Sequence, residues 1–176
     1  MSIIAKLSFW FSLLFSCRVT DPEISENIID SVEFQESRGV TTVRDNGYCV
    51  GLMQIDKRYS PVPARFLKIP LVNRIVGVRA IKYWKRRAKG DMHLALAAYN
   101  CGNAGLDKKC GVGYANQVLS RKIRRKRENE EECSALANLI NFLIDNRKYL
   151  KKPLQASKLG LYFKTQNLIS THRRNK

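Results

Sequence analysis

Glu36 is the acidic residue whose sequence position best suits proton-transfer chemistry. Ile24, Ile28 and Val32 recur at four-residue spacing, which predicts one apolar helix face, and Glu36 is the next position on that face. A carboxyl group that is withdrawn from water has a raised pKa and can act as a general acid. Cleavage of a glycosidic bond needs such an acid, because the departing sugar oxygen must be protonated. A solvated glutamate at a helix end is the alternative interpretation.

Glu36 belongs to one of four short motifs that follow one another at distances compatible with a single site. The motifs are Glu36-Ser37-Arg38-Gly39, Gly51-Leu52-Met53-Gln54-Ile55-Asp56, Ala97-Ala98-Tyr99-Asn100-Cys101-Gly102 and Tyr114-Ala115-Asn116-Gln117-Val118. Together they resemble the goose-type lysozymes and the related soluble lytic transglycosylases, from about Ile24 to Val118. The resemblance implies cleavage of peptidoglycan at the β-1,4 bond between N-acetylmuramic acid and N-acetylglucosamine. It also implies that Glu36 is the catalytic acid.

The same resemblance assigns substrate-binding roles to six further residues. These are Gly51, Met53, Gln54, Tyr99, Asn100 and Tyr114. The second motif is expected to line the sugar cleft, with the Gln54 amide offered to sugar hydroxyls, and both tyrosines are expected to lie near Glu36. Simpler structural roles stay open: Gly51 as a strand glycine, Met53 as core filler, the tyrosines as packed side chains, and Asn100 as a helix C-cap.

Two aspartates, Asp45 and Asp56, accompany the second motif. Their placement is similar to the goose-type pattern, in which two aspartates help to hold the attacking water, so we expect hydrolysis with both as catalytic residues. The stretch between Glu36 and Asp45 is shorter than is usual in goose-type enzymes. A turn role for Asp45 and a local ion pair for Asp56 are the alternatives. The sugar's own hydroxyl would then attack, giving the 1,6-anhydromuramic acid ends of a lytic transglycosylase.

The chain is strongly basic, with 32 Lys and Arg residues against 15 Asp and Glu residues and a formal net charge of +17. We therefore expect an anionic partner, and an anionic bacterial wall surface fits through a salt-screened, long-range attraction. A nucleic-acid-binding protein is the competing class, because the basic run from Arg121 to Arg127 suits phosphate contacts. A secreted chain seldom meets nucleic acid, so no such partner is expected. A non-catalytic sugar-binding protein is a third class, but the presence of the candidate catalytic acid Glu36 argues against it.

The N-terminus predicts a secretory signal. Lys6 precedes an apolar run from Leu7 to Ser16 that is too short for a membrane-spanning helix. We expect cleavage near residue 16 or 17, and hence a secreted, extracytoplasmic protein with no transmembrane span in the mature chain. A lipid anchor on Cys17 is one alternative, and an N-terminal helix that is buried or docks on a membrane is another.

Four cysteines remain once Cys17 is set aside, and the secretory route is oxidising. Cys101 and Cys110 bracket a glycine-rich loop, so we expect them to form a disulfide. Cys49 with Cys101 is the competing pair, and Cys133 takes whichever cysteine remains. The chain has only two histidines and no paired C-x-x-C motif, so neither a metal nor another cofactor is expected.

A length of 176 residues predicts one domain, and the motifs imply the lysozyme-like α+β class, mainly α with one small β-hairpin. We expect a signal peptide over residues 1–17, a catalytic domain over 21–152, a basic tail over 153–176, and a monomer. The hairpin is predicted near Asp45-Asn46-Gly47, a tight-turn signal. Helices are predicted over residues 21–37, 71–84, 91–100, 114–127 and 134–150.

Overall fold

The structure is a computed structural model that describes residue 17 and residues 19–40, 47–121 and 130–146. Within these residues lie seven helices and one two-stranded antiparallel sheet, which confirms the predicted mainly helical α+β class. In the sheet, Cys49 pairs with Asp56 and Val50 with Ile55. The elements are α1 (Glu26–Ser37), β1 (Cys49–Val50), β2 (Ile55–Asp56), α2 (Ala64–Leu67), α3 (Pro70–Arg87), α4 (Met92–Cys101), α5 (Asn103–Leu106), α6 (Val112–Ser120) and α7 (Glu130–Asp145).

Helix α4 is the packing centre of the domain and contacts α3, α5 and α6. Its segment from Ala95 to Ala98 is completely buried. The small alanine side chains let neighbouring backbone approach closely, because a Cβ atom added at Gly105 or Gly111 would collide with the main chain of Ala97. The glycine-rich segment after α4 can therefore fold back against this helix and bring α6 beside it.

Helix α1 begins at Glu26, later than the predicted start at Asp21. Asp21 does not cap a helix; it accepts the Glu23 N–H and pairs with Lys82 of α3 at 3.1 Å. Glu23 pairs with the same lysine at 2.7 Å. These ion pairs to α3 hold the segment before α1 in an irregular path.

The hairpin turn lies at Gly51 to Gln54, and not at the predicted Asp45-Asn46-Gly47 signal. The Gln54 N–H donates to the Gly51 carbonyl at 3.0 Å, and Gly51 has a φ of +78°. Gly47 lies before β1, whereas Asp45 and Asn46 lie outside the described residues.

Asn73 of α3 holds the hairpin turn from within the core. Its side chain is fully buried, and its Oδ1 accepts the Met53 N–H at 2.7 Å. Its Nδ2 donates to the carbonyls of Val50 and Leu67, each at 2.8 Å. One amide thus forms hydrogen bonds with three backbone groups, and it fixes the position of the turn on α3.

The predicted Cys101–Cys110 disulfide is confirmed. The prediction for Cys133 is wrong: Cys133 of α7 forms a disulfide with Cys17, and Cys49 lies outside both disulfides. The reason is that Cys17 is fully buried in the same core cluster as Cys133 and therefore belongs to the folded domain and not to the removed signal. Because its sulfur is bonded to Cys133, Cys17 cannot also carry a lipid thioether in this form of the protein.

A buried ion pair joins α1 to α3 beneath this disulfide. Arg74 donates through Nε and Nη2 to both Glu33 carboxylate oxygens, at 2.7 and 3.1 Å. Its Nη1 donates to the Cys17 carbonyl at 2.7 Å. Removing one member would leave the other charge buried without compensation, so the pair fixes how α1 sits on α3.

Candidate active site

Glu36 lies in the last turn of α1, half-buried. Burial raises the pKa of its carboxyl group, and a hydrogen bond from Tyr114 lowers it again in part, so the net pKa is above the ordinary glutamate value. The Tyr114 hydroxyl donates to Glu36 Oε1 at 2.7 Å. A carboxyl group in this setting can hold a proton at higher pH than a solvated one, as a general acid requires.

Tyr114 and Tyr99 both lie near Glu36, as the motifs predict. Burial raises the pKa of each phenol, and the negative charge of Glu36 raises it further. Both hydroxyls therefore stay protonated and act as donors. Tyr99, on α4, donates to the Met53 carbonyl at 2.7 Å and so links the hairpin turn to the central helix.

The turn that follows β1 is closely packed against α3. Gly51 has a positive φ, and a Cβ atom there would overlap the Asn73 amide and the Leu67 carbonyl. The Met53 side chain is fully buried and fills the space over Gly77, so Met53 reaches the site only through its main chain. Gln54 has a positive φ of 46° and its Nε2 donates to the Gly51 carbonyl at 2.8 Å.

The remaining predicted site residues are placed less centrally. Asn100 is exposed near the end of α4. Asp56 accepts four hydrogen bonds from Arg58, one from the backbone N–H and three from the guanidinium, at 2.6 to 3.2 Å. These contacts lower the pKa of the Asp56 carboxyl group. Asp45 lies outside the described residues, as do residues 1–16, 122–129 and 153–176.

A polar seam between α1 and α6, next to Glu36, was not predicted. Gln35 donates through Nε2 to Gln117 Oε1 at 2.8 Å, and its Oε1 accepts Arg121 Nη2 at 3.1 Å. The Arg121 guanidinium also lies 4.3 Å from the Phe34 ring centroid. Tyr114 and Gln117 share one face of α6 by their spacing of three residues, and Arg121 follows directly after the helix. This spacing is the only sequence signal for the seam. The contacts of the seam fix how far α6 is displaced along α1, and they therefore fix the position of Tyr114 relative to Glu36.

The described residues contain no group of three His, Cys, Asp or Glu side chains that could hold a metal ion. The described part of the site contributes one carboxyl group with a raised pKa, two phenol donors and a backbone turn. In a mainly helical domain with a small hairpin, this arrangement is consistent with the lysozyme-like class.

Comparison with known proteins identifies the family. The model of the transglycosylase SLT domain matches residues 14–118, which include all four motifs and more than half of the chain. The chain belongs to this family, as its resemblance to the soluble lytic transglycosylases implies. Comparisons with curated proteins and with solved structures give no match.

Family membership supports a peptidoglycan-cleaving activity of the lytic transglycosylase or lysozyme-like type. Enzymes with this domain act on the cell wall, outside the cytoplasm. Of the helices that the structure describes, none has the length and apolar character needed to span a bilayer.

Proposed function

We propose that this protein is a muramidase that cleaves the β-1,4 bond between N-acetylmuramic acid and N-acetylglucosamine in peptidoglycan. The observation that carries the proposal is the half-buried Glu36 carboxyl group, which has a raised pKa and a 2.7 Å hydrogen bond from Tyr114. Membership of a family that acts on peptidoglycan supports the choice of substrate.

Glu36 is the general acid in this proposal. Its raised pKa keeps the proton on the carboxyl group until the glycosidic oxygen can accept it. Tyr114 donates to one carboxyl oxygen and leaves the other for the substrate. Once the proton has left, the Tyr114 hydrogen bond is to a charged acceptor and becomes stronger. Tyr114 thus stabilises the carboxylate that forms as the bond breaks.

Water is the nucleophile, held by Asp45 and Asp56 on the sugar face opposite Glu36. The position of Asp56 supports this role, because Asp56 ends β2 directly after the turn whose Met53 carbonyl accepts the Tyr99 hydroxyl. An inverting hydrolase needs such a second carboxylate to orient the water.

Lytic transglycosylation is the second candidate, and a specific observation favours it. Arg58 contacts both carboxylate oxygens of Asp56, which reduces the capacity of this residue to bind water. The matched family is also described as a transglycosylase domain. In this reaction Glu36 protonates the leaving oxygen as before. The hydroxyl of the sugar itself then attacks in place of water and gives its proton to the Glu36 carboxylate.

We also propose that the protein is secreted as a monomer through the N-terminal signal, with cleavage before Cys17, because the folded domain retains the Cys17–Cys133 disulfide. The catalytic domain then spans residues 21–152, and the basic tail spans residues 153–176. The formal net charge of +17 attracts this enzyme to phosphate and carboxylate groups of the bacterial wall. Binding to wall fragments should weaken as salt is added.

Mass spectrometry of digested peptidoglycan tests the proposal and separates the two candidates. Hydrolysis adds one water for each bond cleaved and gives reducing ends, whereas transglycosylation gives 1,6-anhydro ends without added water. We expect reducing ends from the wild-type protein and slower cleavage by the Asp45→Asn, Asp56→Asn double variant. Anhydro ends from the wild type would replace the first candidate with the second. Intact peptidoglycan after prolonged incubation would reject both.

A further inference from the structure

An exposed aromatic cluster lies at the open end of the hairpin, away from the turn that contacts Tyr99. Tyr48 precedes β1, and its carbonyl accepts the Lys57 N–H at 2.9 Å, which extends the hairpin pairing. Arg58 and Tyr59 follow β2. We name Tyr48, Arg58 and Tyr59 the hairpin platform. Tyr48 is 55% exposed and Tyr59 is 82% exposed, so both residues are accessible to solvent.

The hairpin platform is held in place by a cation stacked on its rings. The Arg58 guanidinium lies 4.4 Å from the Tyr48 ring centroid and 5.5 Å from that of Tyr59. Its orientation is fixed by Asp56, which accepts from Nε and from Nη2, the latter at 2.6 Å. The Asp56 carboxylate neutralises the positive charge of Arg58. A ligand of the platform would therefore contact aromatic surface and not an uncompensated cation.

We infer that the hairpin platform binds a neutral sugar ring of the glycan strand, beyond the two sugars joined by the cleaved bond. A pyranose ring has a face lined by C–H groups, whose hydrogens carry partial positive charge. The face of a tyrosine ring carries partial negative charge, so the two surfaces are complementary in shape and in electrostatics. An anionic wall polymer fits less well, because Asp56 already occupies the guanidinium of Arg58.

The position of the hairpin platform suits a strand that also reaches Glu36. Tyr48 is three residues before Gly51, which corresponds to roughly 10 Å of extended chain. The turn at the other end of the hairpin is bound to Tyr99 through Met53. A glycan strand lying along the hairpin would therefore contact both ends. This inference rests on the proposed function, which supplies the glycan as substrate.

Steady-state kinetics on peptidoglycan strands of different lengths test the inference. In Tyr48→Ala and in Tyr59→Ala we expect KM for long strands to rise about fivefold, with kcat within about twofold of wild type. Tyr59→Phe retains the ring face and should keep the wild-type KM. On the shortest strands that the enzyme cleaves, which do not reach the platform, all of these variants should match wild type.

Tyr83→Ala is the matched control. Tyr83 is 46% exposed, and the Arg87 guanidinium lies 5.8 Å from the centroid of the Tyr83 ring. Tyr83 therefore resembles the platform tyrosines, but it belongs to α3 and not to the hairpin. Its removal should leave KM unchanged at every strand length. Thermal midpoints of all variants, measured in parallel, should stay at the wild-type value because the replaced rings are exposed.

Three outcomes would overturn the inference while leaving the role of Glu36 intact. The first is an unchanged KM for Tyr48→Ala and Tyr59→Ala with an active wild type. The second is an equal rise in KM on short and long strands. The third is a rise that disappears at about 0.5 M salt, which would indicate an anionic ligand. Failure of the proposed function gives a different result, because the wild type itself would then release no fragments.

Discussion

Replacing Asn73 by alanine should destabilise the protein by about 3–5 kcal/mol. The Asn73 side chain is fully buried and makes three hydrogen bonds to backbone groups. Its loss leaves the buried Met53 N–H unsatisfied, which alone costs about 1–3 kcal/mol. The carbonyls of Val50 and Leu67 lose their donor at the same time, and a small cavity adds to the cost. This is a large share of the total stability of a domain, which is about 5–15 kcal/mol.

Urea denaturation at neutral pH measures this loss as a change in the free energy of unfolding. Asn73→Asp is an informative second variant: it keeps an acceptor for the Met53 N–H but sets a carboxylate against two carbonyl oxygens, so it should be at least as unstable. Asn103→Ala, at an exposed position, should change the stability by less than about 1 kcal/mol. A loss below about 1 kcal/mol in Asn73→Ala would refute the assignment of Asn73 as the anchor of the turn.

Tyr114→Phe removes the hydrogen bond that lowers the pKa of Glu36, so the pKa of Glu36 should rise further. The alkaline limb of the pH profile of kcat/KM should therefore move to higher pH. An unmoved limb would contradict the hydrogen bond between Tyr114 and Glu36. Gly51→Ala should cost about 3 kcal/mol or more in urea denaturation, because it combines a positive φ with a Cβ clash; a stability near wild type would contradict the close packing of this turn. Replacing Cys101 and Cys110 together by serine should lower the free energy of unfolding by about 2–3 kcal/mol relative to the oxidised wild type, with the Cys17–Cys133 disulfide intact in both proteins. An unchanged free energy of unfolding would contradict a stabilising role for this disulfide.

The parts of this fold that the sequence predicts are those encoded by local spacing. Leu71, Ile75, Val78 and Ile81 recur on one face, and all four are buried in α3. The motifs likewise predict that Tyr114 lies near Glu36, and the structure contains that contact.

The parts that could not be predicted depend on partners far along the chain. The position of the hairpin turn is set by Asn73, which lies 20 residues after Met53 and accepts the Met53 N–H. Local turn signals carry no information about a contact of this kind. The Cys17–Cys133 disulfide spans 116 residues, and cysteine spacing carries no information about such a pairing.

The distinction between the two glutamates of α1 has the same origin. Glu33 and Glu36 are three residues apart, so helical periodicity places both toward the core. Glu33 is completely buried, is paired with Arg74 41 residues away, and is structural. Only the motif that contains Glu36 separates it from Glu33 before the structure is known.

Release of soluble fragments from purified peptidoglycan by Glu36→Gln tests the central claim most directly. Glutamine keeps the shape of the side chain and the acceptor for Tyr114 but has no proton of suitable acidity to donate. We predict that the rate falls by about 10²–10⁴-fold while binding to insoluble peptidoglycan is retained. Glu26→Gln, the same substitution at the first residue of α1, should release fragments at the wild-type rate. Fragment release by Glu36→Gln at the wild-type rate would contradict the assignment of Glu36 as the catalytic acid.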